Sequence, residues 1–119
     1  MFKKLKPKFF WGSRVPGWLG KILPFKPDAV SFLCFVWVRY PHKDRRLQDH
    51  ETIHFQQQLE LLFVLQWLLY SLFYLKRLYD YRNVYQAYLQ NPFEREAYSN
   101  EGNRQYLEHR PRFAWYKYI

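Results

Sequence analysis

Hydrophobic and polar positions divide this chain into stretches of different period. From Ala29 to Tyr40 it runs Ala-Val-Ser-Phe-Leu-Cys-Phe-Val-Trp-Val-Arg-Tyr, dense in β-branched and aromatic residues and bounded by Pro27-Asp28 and Pro41. That composition predicts a strand. A strand so continuously apolar is covered on both faces, or buried on one face in lipid or a partner. Between Pro41 and Pro92 there is neither Gly nor Pro, and apolar residues recur at helical spacing from Leu47 onward. The expected element is a helix with Asp44 as N-cap, ending near Tyr79. Unbroken, it would be about 52 Å long, whereas a compact chain of this size has a radius of gyration of about 13–14 Å. The helix must protrude, break or enter something.

Within it, Leu61 to Leu75 is apolar nearly all round, with Glu60 before it and Lys76-Arg77 after it, as buried or membrane helices are. Its length of about 22 Å falls short of the roughly 30 Å hydrocarbon core of a bilayer, so a helix lying partly in the membrane or packed in a core is expected rather than a span. Arg82 to Gln90 reads as a short helix or turn. Asn91-Pro92-Phe93-Glu94-Arg95-Glu96-Ala97 then opens another helix, with Asn91 as N-cap, Pro92 at the first helical position and Gly102 to close it. Another start is expected at Asn103. Residues 1–28 contain four of the seven prolines and three of the four glycines and are expected to be irregular.

With 119 residues the chain is expected to form one domain, built from a basic aromatic leading segment (1–28), a core (29–102) and a basic tail (103–119). The formal charge is +9, and the first 27 residues hold Lys3, Lys4, Lys6, Lys8, Arg14, Lys21 and Lys26 with no acid. Basic residues mixed with Trp and Phe suit an anionic membrane surface. Nucleic acid ranks lower as a partner, because no recognisable nucleic-acid motif is present and the aromatics are not confined to the basic stretches. The single Cys34 excludes an internal disulfide and is expected to be an inert buried thiol. Gly12, Pro16, Gly17, Gly20 and Pro24 interrupt residues 9–25, so no signal peptide is recognised, and a membrane-associated or cytoplasmic location is expected.

The chemistry concentrates in Asp49-His50-Glu51-Thr52-Ile53-His54, which contains an HExxH motif. On a helix His50 and His54 lie one above the other and can aim ring nitrogens at one cation, while Glu51 is set to exchange a proton with a metal-activated water. A shuffle of this composition gives about 0.005 expected matches, so chance is a poor explanation. The competing reading is two histidines stacked on a solvated turn. Two histidines do not hold catalytic zinc, so a third protein ligand is required. His42 and His109 lack recognisable spacing, and the Asn91 helix offers Glu94, Glu96 and Glu101, with Glu94 and Glu101 sharing a face with Ala97.

These residues together resemble the gluzincin group of zinc metallopeptidases, in particular the very small minigluzincins. In that group one helix supplies HExxH and a later helix supplies a Glu ligand, often within an ExxAD-like pattern. The resemblance implies His50, His54 and Glu94 as zinc ligands and Glu51 as general base, with Glu94 matching through Ala97. It covers roughly residues 28–102, and its strand would be the edge strand lining the cleft. Where the pattern has Asp the chain has Tyr98, so the carboxylate that would orient a histidine is missing unless Glu101 or another group replaces it. Glu94 also falls at the N3 position of a capping box, where Glu is common for helical reasons alone, and Glu96 is the next candidate.

The expectation is thus an α+β, minimal zincin-like domain: a short sheet on a long active-site helix, plus a shorter helix bearing Glu94. It would act as a zinc-dependent hydrolase on a peptide or protein substrate. The rival is a membrane-surface or structural protein with a vestigial or purely structural zinc site, and a homodimer could cover residues 61–75. Gln56, Gln57 and Gln58 are expected on a solvated or cleft-rim turn, with contact to substrate backbone the lesser reading, and the tyrosines in packing and interfacial roles, with one tyrosine stabilising an oxyanion beside the metal the lesser reading.

Overall fold

A computed structural model describes residues 7–19, 21, 29–32 and 34–119. The elements are β1 (Lys8–Phe10), α1 (Val15–Leu19), β2 (Ala29–Phe32), β3 (Phe35–Val38), α2 (Arg45–Glu60), α3 (Val64–Tyr81), α4 (Val84–Leu89), α5 (Pro92–Asn100), α6 (Arg104–His109) and a 3-10 helix at Ala114–Tyr118. This is a mostly helical α+β architecture with a radius of gyration of 13.8 Å.

The single strand expected over Ala29–Tyr40 is instead a hairpin. β2 and β3 pair antiparallel with Phe32 opposite Phe35, so the apolar run folds back on itself and satisfies its own backbone groups. Cys34 sits at the turn and is exposed, not the buried thiol expected. The leading segment is more regular than its Gly and Pro content predicts, because Lys8–Phe10 adds in parallel to the free edge of β3, giving the order β1-β3-β2. Such long-range pairing has no local signal. The expectations on Lys3, Lys4, Lys6 and Lys26 fall outside the described residues. On β3 the pleat buries Val36 and Val38, while Phe35 and Trp37 cluster with Phe10 on the other face, ring centroids 5.8–6.0 Å apart.

α2 begins where expected. Asp44 is its N-cap and its side chain accepts from the backbone N–H groups of Arg46 and Leu47 at 2.9 and 3.3 Å. Residues Asp49 through Gln58 are all buried, so the helix is enclosed on every side by α5, α3, α6 and β2. Gln56, Gln57 and Gln58 are therefore interior, not on the solvated rim expected of them.

The long helix breaks at Leu61–Phe63, with α2 and α3 bent by 113°. No Gly or Pro causes this. Leu62 and Phe63 take φ of 55° and 61°, and Phe63, at ψ −64°, centres a γ-turn of the rare, strained hand, closed by Val64 N–H donating to the Leu62 carbonyl at 2.6 Å. Contacts on both sides hold the turn. Leu61 is buried against Phe93 and Trp115, onto which Leu69, Tyr70 and Phe73 of α3 also pack. Glu60 accepts two hydrogen bonds from Arg110 at 3.0 Å each and one from the Phe113 N–H at 2.7 Å. Among the described residues no single helix is long and apolar enough to cross a membrane.

Asn83, Asn91 and Asn103 cap α4, α5 and α6 in turn, each accepting from a backbone N–H in the first turn. Pro92 opens α5, and Gly102, at φ +82°, turns the chain out of it.

Leu62 combines a left-handed backbone with 80% exposure. A left-handed L residue costs about 1–2 kcal/mol, and glycine's extra unfolded-state freedom returns roughly half of any gain. Leu62→Gly should therefore stabilise the fold by about 0.5–1 kcal/mol in a denaturant titration. A loss of stability would show that the turn is held by the Leu62 side chain.

Candidate metal centre

α2 and α5 cross with Ala97, fully buried, on the α5 face, and the missing side-chain bulk lets Glu94 reach α2. The Nε2 atoms of His50 and His54 are 3.1 Å apart, and Glu94 Oε1 lies 3.1 Å from the first and 3.0 Å from the second. The three ligand atoms form a nearly equilateral triangle, and the three residues make a buried group that could hold a metal ion. Ligands 2.0–2.1 Å from a tetrahedral ion lie about 3.3–3.4 Å from one another, so the triangle needs to widen by only a few tenths of an ångström.

Each candidate ligand is aimed by a further contact. His50 Nδ1 lies 2.8 Å from Glu101 Oε2, an acceptor-only group, so Nδ1 keeps its proton and Nε2 is the atom left to meet a cation. The same logic fixes His54. Gln57 donates through Nε2 to the Phe93 carbonyl at 3.1 Å and to Glu96 Oε1 at 2.9 Å, so its Oε1 faces His54 Nδ1 at 2.8 Å and accepts from it. Tyr70 on α3 donates to Glu94 Oε2 at 2.7 Å, leaving Oε1 for the cation. The ring of Tyr98 stands edge-on to His50 with centroids 4.4 Å apart. Its hydroxyl meets that of Tyr88 at 2.7 Å.

Glu101, three residues beyond Tyr98, thus supplies the histidine-orienting carboxylate that the ExxAD comparison lacked. Glu96 is not in the group: it is fully buried and receives Arg110, the Tyr106 hydroxyl at 2.6 Å and Gln57. Glu94 does not act as a capping-box residue, since both its oxygens are engaged at the site. His42 and His109 are exposed, outside it. Glu51 is 9% exposed, and its negative charge reaches His50, His54 and Tyr70, raising the pKa of each. Tyr70 and Gln57 were not singled out as site residues in the sequence. Gln57 has a signal, lying one turn from His54 at i+3; Tyr70 has none, because its approach depends on the bend at 61–63.

No protein-family model, no curated protein and no solved structure matches the chain. The site therefore stands on its own geometry.

Burial alone would lower the pKa of His50, but hydrogen bonds to Glu101 and Glu94 and their charge outweigh it and raise the pKa to about 10. Burial opposes protonation of His54 too, and the adjacent Glu94 overcomes it. Glu94 would be pushed up by burial, yet the two imidazoles hold it well below the ordinary carboxylate range. Burial and the Glu94 charge raise Tyr70, keeping its phenol a donor.

A cation at these atoms must displace the proton that raised histidine pKa values retain at neutral pH, so uptake should release protons and weaken as pH falls. The expected slope is about tenfold in affinity per pH unit for each proton displaced, measured by chelator competition at pH 6, 7 and 8. Gln57→Leu, which removes the acceptor behind His54, should weaken zinc affinity about 10–100-fold. Affinity unchanged by either pH or Gln57→Leu would mean the cation is held elsewhere.

Proposed function

We propose that the chain is a zinc-dependent hydrolase of gluzincin type that cleaves peptide bonds. The observation that carries this reading is the convergence of His50, His54 and Glu94 on one point, each oriented by its own partner, with Glu51 buried beside them. Two neutral imidazoles and one carboxylate are the donor set of catalytic zinc sites with an open position. The same donors also suit Fe(II). What favours zinc is Glu51, adjacent to a ligand on the same helix turn, where a hydrolase needs a base and an oxygenase does not. When bound, zinc supplies a Lewis acid that polarises a carbonyl and makes water nucleophilic near neutral pH.

The chain's own residues do the rest. Glu51 takes the proton of the attacking water and returns it to the leaving amine. Tyr98, its pKa pushed up to about 12 by burial and by the charges of Glu94 and Glu101, stays a neutral phenol that orients His50 from its ring edge. Glu101 and Gln57 keep both histidines in the metal-binding tautomer. The choice of peptide substrates rests on the resemblance of HExxH and Glu94-x-x-Ala97 to gluzincins.

Purified protein should carry about one zinc by elemental analysis, and His50→Ala should abolish zinc uptake and lower thermal stability. Glu51→Gln should retain zinc while losing about 10²–10⁴-fold of the hydrolysis of a quenched peptide mixture. Zinc retained by wild type with no hydrolysis would make the site structural, and no zinc uptake at all would overturn the proposal.

A further inference from the structure

α3 is inverted relative to an ordinary surface helix. Gln66 is 3% exposed and the Tyr70 hydroxyl faces the interior, while Leu65, Leu68, Leu72, Leu75 and Tyr79 are 47–71% exposed. Their spacing of three, four, three and four residues puts them on one face, and Leu62, in the bend just before the helix, is 80% exposed. The stripe is about 21 Å long. Contiguous apolar surface of this kind marks an interaction site rather than ordinary solvent-facing helix.

We propose that this face docks on an anionic lipid bilayer, with α3 lying in the plane of the headgroups. Three observations select lipid over a second copy of the chain. The C-terminal end of the stripe carries exposed Tyr79, Tyr81 and Tyr85, and tyrosines settle at the level of lipid headgroups. Beside them Arg82 lies over the Tyr79 ring at 5.2 Å, exposed Lys76 pairs with Asp80 at 2.8 Å, and Arg77, turned inward to the Gln90 carbonyl, leaves this end of the helix net basic. The chain as a whole is +9, so pairing two copies brings like charge together, whereas anionic headgroups neutralise it. Lys76, Arg77 and Asp80 within α3 suit a helix on the surface rather than across it.

The docking also sets the height of the metal centre. Tyr70 reaches Glu94 from the side of α3 opposite the leucines, so the cluster stands about one helix diameter, ~10 Å, from the lipid contact. This geometry is independent of whether zinc is bound.

The test is co-sedimentation of the full chain with phosphatidylcholine vesicles with and without phosphatidylserine, at low and high salt. The protein should sediment with the anionic vesicles, and salt should weaken binding in part, because the apolar contribution is not screened. Leu68→Ser with Leu72→Ser changes two half-exposed residues, so the circular dichroism spectrum and melting temperature should be kept while vesicle affinity falls at least about tenfold. Failure to sediment with anionic vesicles, or undiminished binding by the double variant, would overturn the proposal. A soluble dimer that the double variant dissociates, with no vesicle binding, would assign the face to a second copy.

Discussion

The rest of this structure depends on neutralising carboxylates in a small interior. Glu96 is fully buried and Glu94 nearly so, and an ionised carboxylate out of water is costly unless it is paired and fully hydrogen-bonded. Arg110 answers Glu96 and, with its remaining donors, Glu60. Because Glu60 closes α2 and Glu96 lies in the middle of α5, one guanidinium ties together the two helices that carry His50, His54 and Glu94. Removing one side of such a buried pair costs about 3–5 kcal/mol, a large share of the stability of a domain this size. Gln57 carries the connection on, from Glu96 to His54. The orientation of His54 is therefore set by the same charges that hold the helices in register.

Where the sequence was informative, the information was local. His50, Glu51 and His54 share one helical turn, and the caps at Asp44, Asn91 and Asn103 are each a polar side chain satisfying nearby backbone donors. Glu94 was legible through its spacing to Ala97. The failures came from contacts distant in sequence. The run 29–40 had strand composition throughout, and only the pairing of Phe32 with Phe35 makes it a hairpin. β1 exists because β3 offers it an edge. The bend at Leu61–Phe63 occurs in good helix-forming sequence and is imposed by Leu61 entering the Phe93–Trp115 core while Glu60 is held by Arg110.

Hydropathy also misplaced Gln56, Gln57 and Gln58. Gln56, Gln57, Gln58 and Gln66 are interior, whereas leucines of α3 are exposed. Gln56, Gln57 and Gln58 are inside because α2 is enclosed on all sides, and from there Gln57 bonds both His54 and Glu96. Once α2 occupies the interior with polar groups, α3 can cover it along one face only, and a helix apolar nearly all round then has leucines left over.

The strained turn joins these two facts. A γ-turn of this hand and a second left-handed residue cost on the order of 1–3 kcal/mol each, and such conformations persist only where their surroundings enforce them. Here the 113° change of direction delivers the Tyr70 hydroxyl to Glu94 and simultaneously turns Leu65, Leu68 and Leu72 outward. A straight continuation of α2 would carry Tyr70 away from α5 and leave the outer oxygen of Glu94 without its donor. The same distortion that brings Tyr70 to Glu94 thus creates the exposed apolar face, so the His50, His54 and Glu94 cluster and the surface of α3 are consequences of one backbone event rather than separate features of the fold.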